Sequence, residues 1–174
     1  MIERIVLGGG CFWCIEAVFS NVKGVIFAKS GYSGGARANP TYESVCTGVS
    51  GHAEVVDIKY DSSVISLEKI IEIFFVVHNP TTLNQQGADR GTQYRSVIYF
   101  ENKSQKEIIL SSIKKAQNNF NDKIVTEVSP LGDVFEAEAY HQNYYALNSS
   151  QPYCKIVIEP KLQKYVRNFK DQLL

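Results

Sequence analysis

The run Gly8-Gly9-Gly10-Cys11-Phe12-Trp13-Cys14 places a thiol directly behind three glycines. Ile5-Val6-Leu7 ahead of them reads as a buried strand, and Phe12 to Val22 as a helix, so Cys11 falls at a strand-to-helix junction. Glycines there let the chain turn tightly and bare successive backbone N–H groups. A thiol at a helix start feels the positive end of the dipole, so the Cys11 pKa is expected to fall and the thiolate to be reactive. The plainer alternative is a buried structural cysteine. A dinucleotide fingerprint does not fit, because Trp13 occupies the place of its last glycine. Nor does a zinc ribbon, since Cys46 and Cys154 stand alone. A thioredoxin-like C-x-x-C would lie further from the start of the chain. Phe12 and Trp13 are either core or the walls of a small apolar pocket.

Glu54 is the second residue with chemical promise. Ala53 to Tyr60 alternates, so Glu54, Val56, Ile58 and Tyr60 share one face while Asp57 and Lys59 lie on the other. That pattern points the carboxylate to the apolar side, where burial raises its pKa and makes it a proton donor near neutral pH. Fraying at the strand end would instead turn it to water. A third cluster, Asp89, Arg90, Gln93 and Tyr94, closes a long polar connection from residue 79 to 94, the kind of loop that often carries function. His52, His78 and His141 lack metal-ligand spacing and read as hydrogen-bonded or surface residues, and Cys46 as a small buried one.

Several elements must position these groups. Val25–Lys29 reads as a strand closed by the glycines from 31 to 35, and Ser66 can cap a helix from Leu67 to His78. Arg95–Phe100 is a strand, 104–120 a helix, 124–128 a strand, 136–147 a helix, 155–158 a short strand and 161–173 a closing helix. Strands alternating with helices predict an α/β (α+β) two-layer sandwich whose mixed sheet has a ferredoxin-like split β-α-β core. The 174 residues suit one catalytic domain, 1–174. With 18 Lys+Arg against 18 Asp+Glu, bulk charge gives no attraction to nucleic acid or anionic lipid. No apolar run approaches the roughly 20 residues that cross a bilayer. A cytoplasmic protein is expected, and four Cys in that setting suit redox chemistry over a disulfide scaffold.

The pattern around Cys11 resembles the signature of the peptide-methionine sulfoxide reductase A family. The likeness continues through Gly31-Tyr32-Ser33-Gly34-Gly35, Asn39-Pro40-Thr41-Tyr42-Glu43 and Gly51-His52-Ala53-Glu54. It runs on through His78-Asn79-Pro80-Thr81-Thr82, Asn84-Gln85-Gln86-Gly87, Asp89 to Ser96 and Glu138-Ala139-Tyr140-His141-Gln142, in order from about residue 5 to 160. The resemblance implies reduction of the S-epimer of methionine sulfoxide, free or in proteins, by a monomer with no metal or other cofactor of its own. Thioredoxin would supply electrons. It also implies that Cys11 attacks the sulfoxide sulfur, Glu54 protonates the oxygen, and Tyr42 and Tyr94 hydrogen-bond that oxygen. Phe12 and Trp13 would receive the S-methyl group, and Asp89 would help fix the site. A sulfenic acid on Cys11 would be resolved by a second thiol. Cys14, three residues on, and Cys154, in Gln151-Pro152-Tyr153-Cys154, are both candidates. Other chemistries consistent with the residues are general thiol–disulfide exchange by Cys11 and Cys14, and binding of oxidised methionine without turnover.

Overall fold

A computed structural model describes residues 1–174. The chain begins with β1 (Ile2–Gly8), α1 (Phe12–Phe19), β2 (Val25–Ser33), α2 (Tyr42–Cys46), β3 (Ala53–Asp61) and α3 (Leu67–Val77). A two-stranded ribbon, β4 (Gln85–Gln86) and β5 (Asp89–Arg90), interrupts the long connection before β6 (Val97–Phe100) and α4 (Lys103–Ala116). Then come β7 (Glu127–Pro130), β8 (Val134–Glu136), α5 (Tyr144–Asn148) and α6 (Glu159–Asn168).

Six strands form one mixed sheet in the order β7-β6-β1-β3-β2-β8. Only the β6–β7 pair is parallel. β3 therefore lies between β1 and β2, the two strands that α1 connects. One face carries Ile5, Leu7, Val56, Ile58, Tyr60 and Ile98 into the main core, where Phe12, Ile15, Phe19, Ile70, Phe74 and Ile109 of the helices meet them. The opposite face holds a small cluster, Val6, Ala53, Val55, Val97 and Tyr99, roofed by Leu131 and Val134. The helices thus form one layer and the sheet the other. The two longest helices, α3 and α4, start where the sequence supplies a cap. Ser66 accepts from the Lys69 N–H at 3.1 Å, and Asn102 accepts from Gln105 N–H at 2.9 Å.

Three local expectations fail. The segment 136–147 is not one helix: β8 ends at Glu136, a 3-10 turn spans Ala139–His141, and α5 begins only at Tyr144, after Asn143 at φ +54°. Glu136 pairs with Gly31 at the sheet edge, so the first residue of the expected helix ends β8 instead. Residues 155–158 are not extended either. Cys154–Ile158 forms a π-helical turn that runs straight into α6: Cys154 and Ile158 are buried while Ile156 between them is exposed, a pattern the two-residue period of a strand cannot give. Gly31 does not end β2, which continues to Ser33 beside β3.

Candidate active site

The three glycines are consumed by packing and geometry. A Cβ on Gly8 would sit 2.8 Å from the Glu54 carbonyl oxygen, so β1 and β3 can only come this close with glycine there. Gly10 has φ +83°, which turns the chain out of β1 and lets its N–H donate to the Tyr94 carbonyl at 3.1 Å. Cys11 then serves as the N-cap residue of α1, in extended conformation, and is 8% exposed.

Glu54 points to the helix face, where the alternation placed it. Its carboxyl is 1% exposed and accepts one hydrogen bond, from the Phe12 backbone N–H at 3.1 Å to Oε1. Oε2 is buried without any partner. Burial pushes the Glu54 pKa up to about 8, against the opposing Phe12 bond, so the group carries a proton at neutral pH. Its cross-strand partner is Tyr32, whose ring lies 5.6 Å from that of Phe12.

The expected depression of the Cys11 pKa is overturned. Burial, and then a hydrogen bond to Cys14, hold the Cys11 thiol well above its ordinary range. Cys14 is the thiol held down, first by that same bond from Cys11 and then, against burial, by the Lys161 cation. The dipole argument failed because α1 is buried along its length and a second sulfur stands nearer than any bulk field. The two thiols are close enough to influence each other's ionisation, with Cys11 the one that holds its proton more tightly.

Two phenols join this pair. Tyr42 opens α2, behind the Thr41 cap, and its ring is stacked with Phe12 at 6.4 Å. Its backbone N–H donates to Glu138 Oε2 at 2.9 Å, while the Tyr32 hydroxyl donates to Glu138 Oε1 at 2.8 Å. Glu138 is thereby clamped: burial alone would raise its pKa, but these bonds outweigh it and hold it low. Tyr94 ends the 3-10 turn that follows β5. Burial and then the charge of Glu54 push both phenols up, so both keep their hydroxyl protons.

Asp89, Trp13 and the last segment close the site. Asp89 is no solvated turn residue; its Oδ2 accepts from the Tyr153 hydroxyl at 2.8 Å. Trp13 is stacked on Tyr144 at 3.6 Å with 8° between planes, meets Tyr153 edge-on at 5.8 Å, and donates from its indole N–H to His141 Nδ1 at 3.0 Å. Cys154 is fully buried, and burial followed by the neighbouring Cys14 pushes its thiol up. All four cysteines are free thiols. Cys46 is exposed at the end of α2, not buried as expected, and its thiol is hydrogen-bonded to Tyr42. His52 and His78 are structural. His52 accepts from the Gly35 N–H at 3.0 Å, and His78, pushed down to about 3 by burial, joins Ser96 Oγ at 2.8 Å.

Reading the sequence missed the roles of Glu138, Tyr153 and Tyr32. Their partners are 96, 64 and 106 residues away, respectively, so no local spacing could reveal them. The signal available was membership of the quoted blocks, which hold Glu138 and Tyr32.

A buried pair of thiols at a helix start, beside a protonated carboxyl and two hydroxyl donors, defines a thiol-dependent oxidoreductase. The family model described as peptide methionine sulfoxide reductase matches residues 3–173. A peptide methionine sulfoxide reductase MsrA of Saccharolobus solfataricus is 52% identical over 99% of this chain and 97% of its own. One from a Nitratiruptor species is 53% identical over 99% of each. Among solved structures, reduced Mxr1 from Saccharomyces cerevisiae is similar with TM-score 0.81 and 31% identity, covering 88% of this chain and 89% of that one. Methionine sulfoxide reductase A of Corynebacterium diphtheriae gives 0.77 and 34%, covering 85% and 76%. The chain belongs to the peptide methionine sulfoxide reductase family, and its activity is the reduction of methionine sulfoxide.

Proposed function

We propose that the chain acts on the S-epimer, free or in proteins, through a sulfenic acid on Cys11. The observation that carries this reading is the protonated Glu54 carboxyl, its Oε2 without a partner, beside the Cys11–Cys14 thiol pair. A sulfoxide oxygen leaves its sulfur only once protonated, so the acid and the sulfur nucleophile must work together. Cys14 takes the Cys11 proton, and the Cys11 thiolate attacks the sulfoxide sulfur. Glu54 delivers its proton to the oxygen while the Tyr42 and Tyr94 hydroxyls donate to it. The oxygen passes to Cys11 as the sulfenic acid, and methionine departs with its sulfur reduced by two electrons. Phe12 and Trp13 enclose the S-methyl group, and Asp89 holds Tyr153 against that wall.

Cys14 then attacks the Cys11 sulfur, water leaves, and a Cys11–Cys14 disulfide forms. Cys14 is favoured over Cys154 because it lies in the first turn of α1, three residues from Cys11 at the N-cap, and the two thiols perturb each other's ionisation. Cys154, adjacent to Cys14, is the second candidate. An external dithiol opens the disulfide by exchange. Thioredoxin is the proposed reductant: Mxr1 of Saccharomyces cerevisiae has been solved in complex with Trx2, and that chain shares this fold with TM-score 0.58. The electrons come from thiols throughout, so the chemistry asks for no metal, flavin or nicotinamide at this site. The 174 residues would act as one catalytic domain and as a monomer. Four free thiols fit a reducing compartment such as the cytoplasm, and no helix is long and apolar enough to cross a membrane.

The test is turnover of separated S- and R-epimers of N-acetyl methionine sulfoxide with dithiothreitol, for wild type and Cys11→Ser. Reduction of the S-epimer alone, lost in Cys11→Ser, is the expected result. Equal turnover of both epimers, or none, overturns the reading.

A further inference from the structure

The mechanism leaves one buried charge unused. Glu16 lies one helical turn beyond Trp13 on α1, is 2% exposed, and is the only charged residue of Phe12–Phe19. No cation pairs with it. Both of its oxygens lie 3.1 Å from the Asn143 backbone N–H, and the Tyr144 N–H also donates to it. Asn143 is in the left-handed region, at φ +54° and ψ +34°, a conformation that turns successive N–H groups toward one anion. Here the protein's own carboxyl, pushed up to about 7 by burial, takes that place. A carboxyl buried without a counter-ion is expensive, so its retention among apolar neighbours calls for a task.

We propose that Glu16 is a positioning residue for the substrate pocket: it docks the 141–154 segment onto α1 and so sets the Trp13 wall. Three contacts fix the indole, namely the His141 acceptor, the Tyr144 stack and the Tyr153 edge. All three belong to that one segment. Glu16 is the side chain of α1 that grips its backbone, at the two peptides between His141 and the Tyr144 ring. Releasing the grip frees Tyr144 from the indole face, and with it the orientation of the wall proposed to receive the S-methyl group. The same segment leads into Cys154, so its docking also fixes how that thiol lies against Cys14.

The kinetic part of this inference rests on the sulfoxide reading, whereas the geometric part does not. Trp13 is the single tryptophan of the chain, so its emission reports the docking directly. The experiment compares wild type, Glu16→Ala and Glu16→Gln by Trp13 emission, acrylamide quenching, and steady-state kinetics with dithiothreitol. In Glu16→Ala the emission should shift to the red and quenching rise. KM for the S-epimer should increase about tenfold, the scale of a lost charge-assisted hydrogen bond, with kcat within about twofold. Glu16→Gln keeps an acceptor oxygen and should recover most of the KM while remaining folded. Emission, quenching and KM equal to wild type in the folded variants would overturn the proposal, even if the melting temperature drops. Should wild type reduce no sulfoxide, altered emission would still support the docking role, and only the sulfoxide reading would fall.

Discussion

The Phe12 backbone N–H donates to Glu54 Oε1 at 3.1 Å, which ties the buried carboxyl to the residue immediately after Cys11. Acid and nucleophile are therefore held on two elements, β3 and the start of α1, by a bond that uses only one carboxyl oxygen. The other oxygen is left for a proton and faces no protein partner. Glu54→Gln separates the two jobs. Glutamine can still accept from Phe12 but carries no acidic proton. The variant should fold as wild type does and lose about 10²–10⁴ in kcat, the usual worth of a positioned general acid. Single-turnover formation of methionine at saturating substrate measures it, and a loss below tenfold would remove Glu54 from the proton-donor role.

The pH dependence follows from the same residue. Glu54 is protonated below about 8 and loses its proton above, so turnover should fall on the alkaline side and that limb should vanish in Glu54→Gln. Stability moves separately. Between the ordinary value of 4.5 and about 8, the folded chain keeps a proton that the unfolded chain has lost. The stabilisation is thus complete at acid pH and is lost as pH rises through that window. Glu16, pushed up to about 7 by burial, adds the same sign over a narrower range. Urea melts at pH 5 and pH 8.5 should show a steeper loss in wild type than in Glu54→Gln. A flat wild-type profile would argue that Glu54 is ionised in the folded chain.

What could be read from the sequence tracks how local each cause is. The strand-to-helix junction at Cys11, the inward face of Glu54 and the Ser66 cap depend on neighbours within a few residues, and periodicity reports them. The thiol pKa pattern does not, because it depends on burial of α1 and on Lys161 reaching back to Cys14. Nor does the Glu138 clamp, which joins a loop after β8 to β2 and α2. Residues 136–147 defeated the pattern for a related reason. An edge strand takes Val134–Glu136, and Glu16 then takes the backbone N–H of Asn143, both long-range choices that override helical spacing.

The thiol pair makes its own prediction. With Cys14→Ser the sulfenic acid on Cys11 has lost its nearest attacker, so one equivalent of methionine should form and dimedone should trap the intermediate. Thioredoxin-driven turnover should fall by more than about tenfold, while dithiothreitol, a small thiol, keeps much of its rate. Cys154→Ser should retain formation of the Cys11–Cys14 disulfide, detected as a loss of two mass units in the peptide holding both. A Cys11–Cys154 disulfide in wild type, with none between Cys11 and Cys14, would hand the resolving role to Cys154.

The glycine run offers a test of the scaffold that leaves every reactive group in place. In Gly8→Ala the new methyl would lie 2.8 Å from the Glu54 carbonyl oxygen and 2.9 Å from Val97 Cγ1. The first of these is backbone and cannot swing away, so β1 and β3 must part. Overpacking of this kind costs about 1–3 kcal/mol. Because the displaced peptide belongs to Glu54 itself, kcat should fall along with stability. Gly132→Ala is the control, since a methyl there meets nothing within 4 Å, and its change should stay within about 0.5 kcal/mol. Thermal melts of both variants read the difference. If Gly8→Ala melted with wild type, the two strands could not be as close as the glycine allows. The Phe12–Glu54 bond, which spans that same junction, would then lose the rigid frame that holds acid beside thiol.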